Sequence, residues 1–175
     1  SMSRKDILRF ATELAEISIS KYGTNPITLD ELSSAFNKIK KNKVGFTNGC
    51  FDILHPGHIH VLEKSKSFGD ILIVGLNSDS SIKNLKGSSR PKVKEGDRMK
   101  IISSIKYVDH VILFEEDTPL TLIKKIKPHI LVKGGDYSLN NIVGSEFVQK
   151  NGGEVKVVNL LQGYSSSSLI DKFES

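Results

Sequence analysis

The segment FTNGCFDILHPGHIHVLEKSKSFGD, Phe46 to Asp70, passes from an apolar run through a polar turn into a helical pattern, and it holds His55, His58 and His60 within six residues. Proline is favoured at the first helical position, where its missing N–H would have had no partner anyway. Pro56 therefore makes His55 the cap residue and puts Gly57 and His58 in the first turn. The backbone N–H groups there have no intrahelical acceptor, and the helix dipole adds partial positive charge. A phosphate binds readily at such a terminus. Gly57 has no side chain to block its approach, and His55 and His58, three apart, can present ring N–H donors to the same anion. His60 points elsewhere.

A metal is the competing use for clustered histidines. HxxH lacks the glutamate of the zinc-protease HExxH, and neither a cysteine pair nor an acidic ligand cluster accompanies it, so no protein-bound metal is expected. Histidines that only cap the helix and pack are the other alternative. The four residues HPGH taken alone do not decide against it.

Outward from this segment, short apolar runs alternate with amphipathic stretches. VGFTN, DILIVGL, HVILF, HILVK and EVKVV read as strands, with helices at about 57–68, 95–106, 119–126, 143–151 and 166–173. Continuous apolar strands between helices imply an α/β fold whose parallel sheet is covered on both faces. Ligands of such sheets bind beyond the carboxyl ends of the strands, where the strand order switches. Three motifs fall just after strands: NGCFDILHPGH, VKGGDY and GYSSSS. Ahead of Val44, Ile7, Phe10, Leu14 and Ile17 keep helical spacing, and Thr28 with Glu31 forms a capping-box signal. The expected organisation is an N-terminal helical extension over 1–43 and one catalytic-type domain over 44–175.

The chain's 175 residues suit one domain with a small appendage. Its 38% hydrophobic and 26% charged residues place it among ordinary globular domains. No run approaches the roughly 20 apolar residues of a membrane span, and no secretory signal precedes the first charges. The lone Cys50 excludes an internal disulfide framework and fits a reducing cytoplasm. Ser1 before Met2 reads as the scar of a cleaved tag. The formal net charge of +5 suits nucleic acid or anionic small molecules equally. Eight basic residues against two acidic ones lie between Lys83 and Lys106. That run is either a solvated loop or a positive lip over a polyanion site.

TNGCFDILHPGHIHVLEKSKSFGD resembles the signature of the cytidylyltransferase-like nucleotidyltransferases, which share an HxGH motif and a Rossmann-like α/β fold. VGLNSD, LKG, RP, FEEDTP, VKGGDY, VG and GGEVKVV resemble one branch, the D-glycero-β-D-manno-heptose 1-phosphate adenylyltransferases, from about Val44 to Phe173. The first forty or so residues lie outside the likeness. The resemblance implies attack by a sugar 1-phosphate oxygen on the α-phosphorus of ATP, with pyrophosphate released and an ADP-heptose formed. An anionic nucleophile needs no strong base, so positioning and charge stabilisation suffice. Cys50 lacks an activated partner and reads as a small buried residue.

In this frame His55, His58 and Lys86 are the catalytic candidates. Thr47, Asn48, Gly49, Phe51, Gly57, Arg98, Ser165, Ser166 and Ser167 are the nucleotide-binding ones, and Lys133, Gly135 and Asp136 contact substrate. Filling core or shaping the loop weighs equally for Phe51 and Asp52, and so does capping a turn for Asp136. Arg98 has the alternative of pairing with Glu95 or Asp97. The last motif departs from the family in having Tyr164 where a basic residue is common and serines where threonines are usual. Mg²⁺ is expected with ATP, held by phosphates and water without a protein cage. The resemblance also implies a homodimer, and since no sugar-kinase domain is read in the sequence, a heptose kinase acting as a separate protein is expected to supply the substrate. The competing readings are a cytidylyltransferase for glycerol 3-phosphate or another phospho-alcohol, a nucleic-acid-binding module, and a nucleotide-sensing pseudoenzyme.

Overall fold

In the computed structural model, residues 42–135, 138, 141–161, 163 and 164 are described. Five strands form one sheet: β1 (Val44–Gly49), β2 (Ile71–Asn77), β3 (His110–Phe114), β4 (Ile130–Gly134) and β5 (Glu154–Val158). Their order is β3-β2-β1-β4-β5 and every pairing is parallel. The helices are α1 (Pro56–Ser67), α2 (Asp79–Lys86), α3 (Glu95–Ser103), α4 (Leu120–Ile126) and α5 (Ser145–Lys150). This is the Rossmann-like α/β arrangement expected from the alternation of apolar runs and helices.

The sheet needs apolar residues on both faces, and β2 shows why its sequence is a continuous apolar run. All seven of its residues are buried. Side chains alternate along a strand. Ile71 and Ile73 join Phe46, Leu122, Ile123 and Val148 under α4 and α5, while Leu72, Val74 and Leu76 join Leu62 and Ile102 under α1 and α3. A third cluster packs Val61 of α1 on Ile130, Val132 and Val158. Full burial of each such side chain contributes about 1.5–3 kcal/mol. α1 is thus held on the sheet by Val61 and Leu62, and its N-terminus comes to rest at the carboxyl end of β1.

The chain leaves β1 towards β2 and β3 on one side and later returns to β4 and β5 on the other. The switch in strand order therefore falls between β1 and β4, where a crevice opens at the strand ends.

Two elements differ from the sequence-based expectation. α2 was not anticipated: it has eight residues, only Ser81 and Ile82 of them buried, too short for a periodic signal. Its start is fixed by Ser78, whose hydroxyl accepts from Ser81 N–H at 3.1 Å. α3 ends at Ser103, three residues early, where the hydroxyls of Ser103 and Ser104 both donate to the Lys100 carbonyl at 3.0 and 2.8 Å. The two helices expected within 1–43 and the last one at 166–173 lie outside the described residues. Among the described residues no helix is long and apolar enough to cross a membrane.

Candidate active site

Beyond β1 the chain turns sharply through Cys50 to Leu54 into α1. Phe51 takes the left-handed region at φ 47°, unusual for a bulky residue. Its ring is 6% exposed and packs tilted against His58 at 5.2 Å. Asp52, 3% exposed, accepts from the backbone N–H groups of Lys92 and Val93, both at 2.8 Å, and from Arg90 Nε. Burial alone would raise the Asp52 carboxyl; those three donors outweigh it and hold the pKa below the ordinary value. Asp52 thus holds the loop, as its place before α1 suggested.

Pro56 is the first residue of α1, and His55 precedes it in an extended conformation (φ −141°, ψ 165°). The His55 backbone N–H donates to His58 Nδ1 over a long 3.4 Å, which leaves Nε2 to carry the proton of a neutral His58 ring. The two imidazoles stack at 3.8 Å. Burial, then the neighbouring His55 and Lys86, push the His58 pKa down to about 4, and burial lowers His55 as well. Both rings are therefore neutral at pH 7 and can donate hydrogen bonds without carrying charge. His55 Nδ1 is buried with no partner among the described residues. A Cβ on Gly57 would lie 3.0 Å from His55 Cε1 and Nδ1 and 3.3 Å from Tyr164 Cβ, so only glycine keeps this end of the helix open.

These residues form the floor of a cleft of about 630 Å³, lined also by Thr47, Asn48, Gly49 and Cys50 from the end of β1. One wall comes from Asn77, α2 and the turn after β3, with Leu85, Lys86, Asp117, Thr118 and Pro119. The other carries Lys133 and Gly134 of β4, Asn141, Ile142, Val143, Leu160 and Tyr164. Lys133 Nζ donates to Asn48 Oδ1 at 3.1 Å. Burial lowers its pKa, partly opposed by Cys50. Tyr164 lies nearly parallel to the His55 ring at 6.3 Å.

Nine residues anticipated from sequence thus meet at one cleft, Thr47, Asn48, Gly49, Phe51, His55, Gly57, His58, Lys86 and Lys133, and Cys50, read from sequence as a buried residue, lines it beside them. Arg98 does not. It is fully buried behind the cleft and spends its donors on the carbonyls of Val93 (2.9 Å), Cys50 (2.7 Å) and Asn77 (2.8 Å) and on Asp79 (2.7 Å). Its ion pair is with Asp79, and neither Glu95 nor Asp97 is its partner; Glu95 accepts from the Asp79 N–H at 2.7 Å. Gly135 lies behind the lining as well, extending the β4–β5 ladder through its N–H to the Val158 carbonyl at 3.0 Å. His60 is not among the lining residues. Asp136, Ser165, Ser166 and Ser167 lie outside the described residues.

The basic segment is divided by the structure. Arg90 and Arg98 are buried braces, while Lys83, Lys86, Lys92 and Lys94 are exposed and Lys86 alone of these lines the cleft. Sequence reasoning did not assign Asn77, Asp117, Thr118, Asn141, Val143 or Leu160 to the site. FEEDTP was the one signal for Asp117 and Thr118. Among the described residues no three His, Cys, Asp or Glu side chains come together as a metal site.

Comparison with known proteins gives a consistent family. The Cytidylyltransferase-like family model matches residues 46–170. The chain is 44% identical to Bifunctional protein HldE of Helicobacter pylori strain 26695 over 99% of its own length, and 45% identical to that of Nitrobacter winogradskyi over 94%. It spans about two-fifths of those relatives, 40% and 39% respectively. A match over 99% of the chain takes in residues before Val44, so the likeness extends further towards the N-terminus than the motifs indicated. Among solved structures, the lipopolysaccharide core biosynthesis protein of Thermoplasma volcanium superposes with a TM-score of 0.56 at 34% identity, covering 71% of this chain and 99% of that one. A pantoate-beta-alanine ligase of Francisella tularensis, at 17% identity and TM-score 0.58 over 84% of this chain and 75% of its own, shares the fold.

Proposed function

From the premise that the chain belongs to the cytidylyltransferase-like family, we propose that it transfers AMP from ATP to D-glycero-β-D-manno-heptose 1-phosphate, giving ADP-heptose and pyrophosphate. The observation that carries this reading is the neutral His55–His58 pair set around Gly57 at a helix N-terminus, with Lys86 and Lys133 on the two walls of a nucleotide-sized cleft. The heptose branch rests on FEEDTP, VKGGDY and the other motifs quoted above, and a relative described as a lipopolysaccharide core biosynthesis protein fits a heptosyl-donor product.

The sugar-phosphate oxygen attacks the α-phosphorus while the bond to the bridging oxygen of pyrophosphate breaks in line with it. The nucleophile is already ionised, so no residue has to remove a proton. The Gly57 N–H at the start of α1, the ring N–H of His58 and the Lys86 ammonium stabilise charge on the phosphoryl oxygens and the leaving group. Arg98 acts indirectly, by holding the loop at Cys50, the end of β2 and the start of α2 in register. Ser165, Ser166 and Ser167 are proposed as a second phosphate cradle, and Asp136 as a hydroxyl ligand. Mg²⁺ enters with ATP, liganded mainly by phosphate oxygens and water, a role that needs no protein cage. ATP as donor places the reaction in the cytoplasm, and the heptose 1-phosphate comes from a kinase reaction. The family likeness adds a homodimer, with residues 1–43 as its candidate interface.

Pyrophosphate release tests the reading. With Mg²⁺, ATP and heptose 1-phosphate should give turnover, and CTP, GTP and UTP little. Release from CTP with glycerol 3-phosphate or another phospho-alcohol, and none from ATP with heptose 1-phosphate, would replace it by a cytidylyltransferase.

A further inference from the structure

The two walls of the cleft differ in chemistry. Beyond β4 and β5, past Lys133 and Asn141, the surface offers an apolar stretch of Ile142, Val143, Leu160 and Tyr164, which suits a flat base. The facing wall is polar and charged, with Asn77, Lys86, Asp117 and Thr118. Asp117 is the anomaly. It is the one carboxylate among the described lining residues of a cleft otherwise equipped to attract polyanions, and it is exposed. A carboxylate facing phosphate is repelled by it; facing neutral hydroxyls it accepts strong charge-assisted hydrogen bonds.

Local structure leaves Asp117 available for that use. Its contact among the described residues is a single long one, from Asn84 Nδ2 at 3.5 Å, and no cation there pairs with it. The turn that carries it is firmly placed. Ser78 N–H donates to the Phe114 carbonyl at 2.9 Å and the Ser81 hydroxyl to the Glu116 carbonyl at 3.1 Å, so the turn is bonded to α2 at two points. Lys86 is at the other end of that helix. One wall therefore presents a phosphate donor and a hydroxyl acceptor together, the pair of functions that a phosphorylated polyol requires.

We infer that Asp117, with Thr118 beside it, is a specificity-determining residue that reads the hydroxyl groups of the sugar phosphate while Lys86, on the same wall, stabilises the phosphoryl group that the sugar phosphate attacks. The inference rests on the substrates proposed above. Its test is steady-state kinetics of Asp117→Asn, which keeps the side-chain shape and removes the charge. The KM for heptose 1-phosphate should rise roughly 10- to 100-fold, the loss expected of a hydrogen bond to a charged group. The KM for ATP and the Mg²⁺ dependence should stay within about twofold of wild type, and Asp117→Glu should recover part of the loss. A rise in the ATP KM or a shifted Mg²⁺ dependence would assign Asp117 to the ribose or the metal and overturn the inference, as would an unchanged sugar KM. If the wild-type protein releases no pyrophosphate from ATP and heptose 1-phosphate, the substrate reading itself fails and takes this inference with it.

Discussion

At the residue scale the site depends on one missing side chain. Gly57 lies under the His55 ring and beside Tyr164, and a Cβ there would sit 3.0 Å from two ring atoms, closer than nearly all ordinary contacts. Alanine is a better helix former than glycine, so the substitution favours the helix itself by about 0.5–1 kcal/mol while crowding the ring above it. The two effects act on different observables. Gly57→Ala should leave the melting temperature within a few degrees of wild type, yet lower kcat/KM at least roughly 10-fold through a displaced His55 and a blocked phosphate approach. Calorimetry alongside pyrophosphate release checks this. Unchanged turnover would mean that the phosphates do not approach α1 at this point.

At the scale of elements, two buried charged residues tie the basic segment to the loop before α1. Asp52 collects three donors from Arg90, Lys92 and Val93, and Arg98 joins that segment to β2 and α2. Removing one partner of a buried pair strands the other. Asp52→Ala leaves Arg90, 8% exposed, without its carboxylate, and two backbone N–H groups without an acceptor. The expected loss is on the order of 3–5 kcal/mol in denaturant unfolding, with a lower kcat because the loop carrying Phe51 and Cys50 loosens. A loss below about 1 kcal/mol would show that the segment is held by other contacts.

These elements also show how far a sequence can be read. The five strands were legible because each is a short, largely apolar or β-branched stretch between helical patterns, β2 without interruption and the edge strand β5 only in alternation, and α1 because proline and glycine mark its start. α2 was not: eight mostly polar residues with one buried apolar side chain carry no period. The same distinction applies within the site. HPGH encodes its geometry locally, so His55, Gly57 and His58 could be set at the helix start from Pro56, while their use for phosphate rested on the flanking motifs. Arg98 stands in a polar stretch like any surface arginine, and only the fold reveals four acceptors around it. Asp117 and Thr118 reach the cleft because β3 lies beside β2, a tertiary fact that the FEEDTP motif marks as family-like but does not locate.

At the scale of the whole molecule, stability, pH and ligand binding are linked through two histidines held neutral. His58 and His110 are both pushed down to about 4, in each case chiefly by burial. Near His58 the charges are those of His55 and Lys86, both opposing protonation; near His110, Asp109 favours it and Lys66 opposes it. In the unfolded chain each would titrate near 6.5. As pH falls from 6.5 towards 4 the unfolded state takes up protons that the folded state refuses, so stability is full above about 6.5 and declines through that window, by at most on the order of 3 kcal/mol per histidine. ATP changes one of the two. Its phosphates beside His58 favour the imidazolium, whereas His110 begins β3 at the end of the sheet away from the cleft. By linkage, a ligand that raises a pKa binds more tightly as that group protonates. The free protein should therefore melt several degrees lower at pH 5 than at pH 7, and the stabilisation by saturating ATP should be larger at pH 5. In His58→Gln the fall due to His110 should persist while the growth of the ATP effect disappears. An ATP-induced shift in the wild-type protein that stays constant or shrinks between pH 7 and 5 would show that the phosphates bind away from His58.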